Sequence, residues 1–172
     1  SIDAACVKNS LLLLLQATGN AGRVITMGFS TAPTEVNQFL ITSKELDVRG
    51  SRLQNKMFGK AIDMIKEGTL DLNNSISHTF PLTKAQEAFD FVDSHRLYRC
   101  RMREKFPLIT ASGYREYIAV PESDCYLLPD SLSDQDAVMI EPTTIAIQSC
   151  TRAELEKDDM LLIYGAGALG SS

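Results

Sequence analysis

The chain has 172 residues, 44% of them hydrophobic and 23% charged, with no tryptophan and no low-complexity tract, which excludes a disordered or fibrous class. Its 17 Lys and Arg against 22 Asp and Glu give a net charge of −5, which repels phosphate backbones and anionic lipid and argues against a nucleic-acid partner. Cys6, Cys100, Cys125 and Cys150 are scattered without a C-x-x-C pair, so neither a zinc knuckle nor a redox dithiol is indicated, and reduced thiols of a cytoplasmic protein are expected.

Ile2 to Cys6 reads as the tail of a buried strand, and Lys8 to Thr18 as a short helix closed by Gly19-Asn20. That helix is apolar on nearly all sides, so it is expected to be covered on more than one face. Its run Leu11 to Leu15 falls far short of the roughly 20 residues of a membrane span. Asp3 and the lack of a basic n-region argue against a signal peptide. Arg23 to Phe29 is a second strand, β-branched and apolar, followed by a helical stretch around Glu35 to Ile41. Leu46 to Gly50 is a third strand. Lys56 to Lys66 is amphipathic, with Met57, Ala61, Met64 and Ile65 at helical spacing and Gly68 as a stop. Strands alternating with such helices indicate a parallel sheet.

Ile76 to Phe80 reads as a short strand, and Thr83 with Gln86 as a capping box for a helix to about Val92. Arg96 to Arg103 alternates basic with apolar residues or cysteine, as in a strand with one wet face. Residues 107–113 look like a joint. Beyond it Tyr114 to Val120 and Cys125 to Leu128 are expected to form a hairpin-like pair, and Ser133 with Asp136 to cap a helix through Ile147 that Pro142 kinks. A charged turn, Glu154 to Asp159, leads into Met160 to Tyr164 and then Gly165-Ala166-Gly167-Ala168-Leu169-Gly170.

A buried strand running into G-x-G-x-x-G is a dinucleotide fingerprint. Gly165 permits the tight turn, Gly167 the approach of backbone to pyrophosphate, and Gly170 close packing of the helix that follows. Only Ser171 and Ser172 come after it, so the helix whose amides hold the pyrophosphate and the ribose-binding carboxylate some 20 residues on are expected to be missing. There is no G-x-S-x-G for Ser/His/Asp hydrolysis and no G-K-[ST] for phosphoryl transfer.

Gly113 to Tyr117 with Ala119-Val120-Pro121, Leu128-Pro129-Asp130, Ile140-Glu141-Pro142, the glycine run, Val24 to Gly28 and Ser77 to Leu82 together resemble the zinc-dependent medium-chain dehydrogenases, closest to the branch acting on polyols and sugar acids. The order differs from the family's. Residues 1–106 resemble the later half of a Rossmann-like nucleotide domain with its return segment. Residues 114–172 resemble the earlier tail of the catalytic domain, a linking helix and the first Rossmann strand.

The resemblance implies an α/β fold with a partial Rossmann-like parallel sheet, its strands equivalent to 1-4-5-6 of the doubly wound order and its helices on both faces, plus a small β-rich piece of the catalytic domain. It implies NAD or NADP as cofactor, a polyol or sugar acid as substrate, and oxidation of a secondary hydroxyl to a ketone. Family residues at the ends of strands 4, 5 and 6 line the nicotinamide pocket; their counterparts here are Ala5, Cys6, Met27, Gly28, Ser51 and Arg52, which join Gly165, Gly167 and Gly170 as cofactor-binding candidates. Glu141 matches the acidic residue near the family's catalytic zinc. The other zinc ligands have no counterpart, and His78 and His95 lack ligand spacing.

Three readings stay open: a rearranged piece of such a dehydrogenase, a non-catalytic nucleotide-binding or self-associating module, and a dehydrogenase completed by a partner. The strand before the glycines is left as a bare sheet edge, so a homo-oligomer is expected.

Overall fold

The computed structural model of the protein describes residues 1–70, 76, 78–94 and 122–167. They divide into two units, one of Ser1–Ile76 with Leu128–Ser172, the other of Ser77–Leu127.

The larger unit is built on four parallel strands, β1 (Ile2–Asp3), β2 (Arg23–Thr26), β3 (Asp47–Gly50) and β4 (Ile163–Tyr164), in the spatial order β3-β2-β1-β4. Ile2 pairs with Ile25 on one side and Ile163 on the other, and Val24 pairs with Val48. This is the expected 1-4-5-6 neighbourhood, so the architecture is a partial Rossmann-like sheet with β4 at the edge.

Period-two alternation along β2 assigns the faces. Val24 packs with Leu14 and Leu15 of α1 (Ser10–Ala17), with Leu46, and with Leu40 and Ile41 of α2 (Gln38–Lys44). Ile25 and Met27 turn the other way, onto Ala153, Ile145 and Cys150 of α6 (Ile140–Ala153). α3 (Phe58–Lys66) lies on that second side, where Ala61 and Ile62 pack against Ile140 and Ile147. Helices therefore cover both faces. Leu13 is 44% exposed, so α1 is covered less completely than its apolar run suggests.

Helix ends follow local chemistry. Lys44 Nζ donates to the Leu15, Gln16 and Thr18 carbonyls at 3.1, 2.7 and 3.0 Å and so closes the C-terminus of α1 with a cation. Ser133 Oγ accepts the Asp136 amide at 3.1 Å and starts α5 (Asp134–Val138). The helix then breaks at Met139, because Pro142 has no N–H for the carbonyl four residues earlier; α6 begins there and runs to Ala153, past the expected end at Ile147. α2 begins at Gln38, three residues after the expected start, capped by Asn37. Gly68 (φ 69°) ends α3 as expected.

In the smaller unit a 3-10 turn, Leu82–Lys84, leads into α4 (Ala85–Ser94). Thr83 lies inside that turn and Gln86 Nε2 donates to Asp90, so the expected capping box does not form. Ile76 and residues 78–80 are not a strand; His78 and Phe80 instead pack their rings on Phe91, with centroids 4.4 and 5.8 Å away. Cys125 to Leu128 are also not a strand, and a 3-10 turn, Glu122–Asp124, precedes them. The expected strands Arg96 to Arg103 and Tyr114 to Val120, the joint at 107–113, His95, Cys100 and Gly170 lie outside the described residues. Among the described residues no helix is long and apolar enough to cross a membrane.

Candidate functional site

Because all four strands are parallel, their carboxyl ends open on one edge of the sheet. That edge gathers Ala5 and Cys6 after β1, Met27 and Gly28 after β2, Ser51 and Arg52 after β3, and Gly165 after β4. In an open parallel sheet this is where ligands bind.

The turn after β4 is tied directly to the turn after β1. The Ala5 amide donates to the Tyr164 carbonyl at 2.7 Å. Gly165 has φ 124°, and a Cβ there would sit 2.6 Å from the Ala5 nitrogen, so only glycine fits. At Gly167 a Cβ would meet no atom of the described residues within 4 Å. Of the two, Gly165 is the glycine that the Ala4–Ala5 backbone requires.

Asp3 organises the β1 turn. The residue is 4% exposed, and its carboxylate accepts the Cys6 amide at 2.9 Å on Oδ1 and the Ser10 hydroxyl at 2.6 Å on Oδ2. Cys6 takes a left-handed φ of 51° in that turn and faces Gly28, where a Cβ would be 3.8 Å from its own Cβ. Although Cys6 is exposed, partial desolvation of its sulfur, and next the Asp3 charge, push the thiol up to about 11.

Met27 and Ser51 differ from the other candidates. Both are buried, and both side chains meet Ser149 of α6: its hydroxyl lies 2.6 Å from Met27 Sδ and 3.3 Å from Ser51 Oγ. They brace the edge on α6 while their backbones line it. Arg52 is exposed, its guanidinium carbon 5.6 Å from the centroid of the Phe29 ring in a cation–π arrangement.

Glu141 is on the first turn of α6, exposed, and Gln54 Nε2 donates to its Oε1 at 2.5 Å. Zinc needs three or four converging ligands. Among the described residues no group of three or more His, Cys, Asp or Glu gathers to hold a metal, and the partner that Glu141 has there is the Gln54 amide.

Sequence reading missed Asp3, Phe29, Gln54 and Ser149. An aspartate ending an apolar strand seven residues before a serine is the one local signal available for Asp3 and Ser10. The other three act through contacts between residues distant in sequence.

No family model matches the chain. It is 34% identical over 101 residues to the starvation-sensing protein RspB of Escherichia coli K12, covering 59% of this chain and 30% of that protein. It is 31% identical over 94 residues to the sorbitol dehydrogenase of Bombyx mori, covering 55% and 27%. The crystal structure of a short chain alcohol dehydrogenase (rspB) from E. coli CFT073, complexed with the cofactor NADH, superposes with a TM-score of 0.51 at 36% identity, covering 54% of this chain and 27% of that one. The chain thus spans less than a third of the length of these relatives. It resembles the medium-chain alcohol and polyol dehydrogenases, in fold as in sequence.

Proposed function

We propose that the chain forms part of the nucleotide-binding half of an NAD(P)-dependent alcohol or polyol dehydrogenase, one that oxidises a secondary hydroxyl to a ketone in the cytoplasm. The observation that carries this reading is the edge formed by the Gly165 turn and the Ala5 turn, bound together at 2.7 Å at the carboxyl ends of the parallel strands.

In this reading the backbone at Gly165 and Gly167 receives the pyrophosphate, with Gly170 the third glycine of the fingerprint. Ala5, Cys6 and Gly28 offer small or neutral walls to the nicotinamide ring, braced from behind by Met27 and Ser51. Arg52 supplies a fork of donors for a phosphate or carboxamide oxygen, held in place by Phe29. The bound nicotinamide would supply the hydride acceptor. The residues named here bind and orient it, and none takes the hydroxyl proton. The reaction therefore needs groups beyond those gathered at this edge.

Titration of the full chain with NADH, followed by nicotinamide fluorescence with circular dichroism on the same sample, tests the reading. Saturable binding by folded protein is expected; folded protein without binding contradicts it.

A second reading, self-association, is favoured by β4. This edge strand leaves Ile163 41% and Tyr164 37% exposed, and an open edge recruits other strands.

A further inference from the structure

The connection between β3 and α3 is held in an unusual backbone. Leu53, Asn55 and Lys56 have φ of 50°, 38° and 64°, and none is glycine. Side chains at Cβ disfavour that region, and a run of such residues persists only where its surroundings over-determine it. α6 grips the connection at two points. At its start Ser51 Oγ meets Ser149 Oγ at 3.3 Å, and in its middle Gln54 Nε2 donates to Glu141 Oε1 at 2.5 Å. The main chain adds a local lock, the Met57 amide donating to the Gln54 carbonyl at 2.8 Å. Arg52 sits between the two grips, over Phe29.

We propose that Gln54 is a positioning residue. By clamping the Glu141 carboxylate it fixes the left-handed connection that presents Arg52 to the carboxyl edge of the sheet. The charge-assisted bond joins residues 87 apart in sequence. The consequence for a bound nucleotide rests on the reading given under Proposed function: a ligand held by Arg52 and the setting of Glu141 become coupled, because neither can shift without stretching the Gln54 bond.

The test exchanges donor and acceptor in the full chain. Gln54→Glu sets two carboxylates against each other and removes the bond; combining it with Glu141→Gln restores a carboxylate–amide pair in the opposite sense. The readouts are hydrogen exchange at the Met57 amide and the NADH dissociation constant. Gln54→Glu alone is expected to raise both by roughly three- to tenfold, and the double variant to bring both back toward the original values. A loss of stability unrelated to the Gln54–Glu141 bond would not be rescued by the second substitution. Unchanged Met57 exchange in the single variant, or no recovery in the double variant, would overturn the clamp. If the exchange pattern appears while even the unmodified chain binds no NADH, the clamp stands and the nucleotide reading falls.

Discussion

Ala5 and Tyr164 meet through one backbone hydrogen bond, the Ala5 amide donating to the Tyr164 carbonyl at 2.7 Å, although they lie at opposite ends of the chain. The bond carries the β1–β4 pairing into the turn region, where Gly165 passes the Ala4–Ala5 backbone too closely for any side chain. The glycine turn is thus part of the sheet before any ligand arrives.

Two glycine substitutions should separate architecture from binding. Gly165→Ala forces a Cβ into the Ala5 backbone at a φ that L residues rarely adopt, and should cost about 1–3 kcal/mol of stability, measured by urea unfolding. Gly167→Ala meets no atom of the described residues within 4 Å and has no left-handed φ to strain, so its melting curve should move less than that of Gly165→Ala while its NADH affinity falls. Equal destabilisation by both would contradict the division.

The pattern of strands and helices was legible because β2 alternates cleanly, Val24 toward α1 and Ile25 toward α6, and because the helices around it carry apolar faces at helical spacing. The readings that failed rested on short segments. Ile76 to Phe80 has a strand-like composition, but among its described residues the His78 and Phe80 rings pack on Phe91, and packing overrides propensity there. The carboxyl edge of the sheet was legible, through the glycine run after β4 and the ends of the other strands. Its bracing by Ser149 and Gln54 was not, because those bonds span 98 or more and 87 residues and leave no local pattern.

Cys6 should resist alkylation. With its pKa pushed up to about 11, the thiolate at pH 8 is roughly a hundredfold scarcer than in an unfolded chain near the ordinary value of 9.0, and iodoacetamide should label Cys6 correspondingly slowly. The sign for stability follows. Below pH 9 the thiol is protonated in both states, whereas between 9 and 11 the unfolded chain loses its proton first, so stability should fall as pH rises through that window. Cys6→Ser should remove this part of the alkaline slope in unfolding titrations.

Lys44→Met should weaken the join between α1 and α2. Its ammonium serves three carbonyls at the end of α1, and its loss is expected to cost about 1 kcal/mol in urea unfolding. Lys44→Arg should recover part of that loss, because a cation remains at the helix end. No change in either variant would show that water serves those carbonyls equally well.

Ile163→Lys tests the open edge. A lysine on an edge strand discourages further strand pairing, so an associating chain should move toward monomer in sedimentation velocity at tens of micromolar. A monomeric unmodified chain under the same conditions would remove self-association through β4.

The most direct measurement of the central claim is an amide chemical-shift map of the full chain titrated with NADH. The nucleotide-site account predicts saturable shifts concentrated at Gly165, Gly167, Ala5, Cys6, Gly28 and Arg52, with α2 and the far ends of the strands unmoved. Shifts centred elsewhere, or none in a folded sample at millimolar NADH, would contradict it.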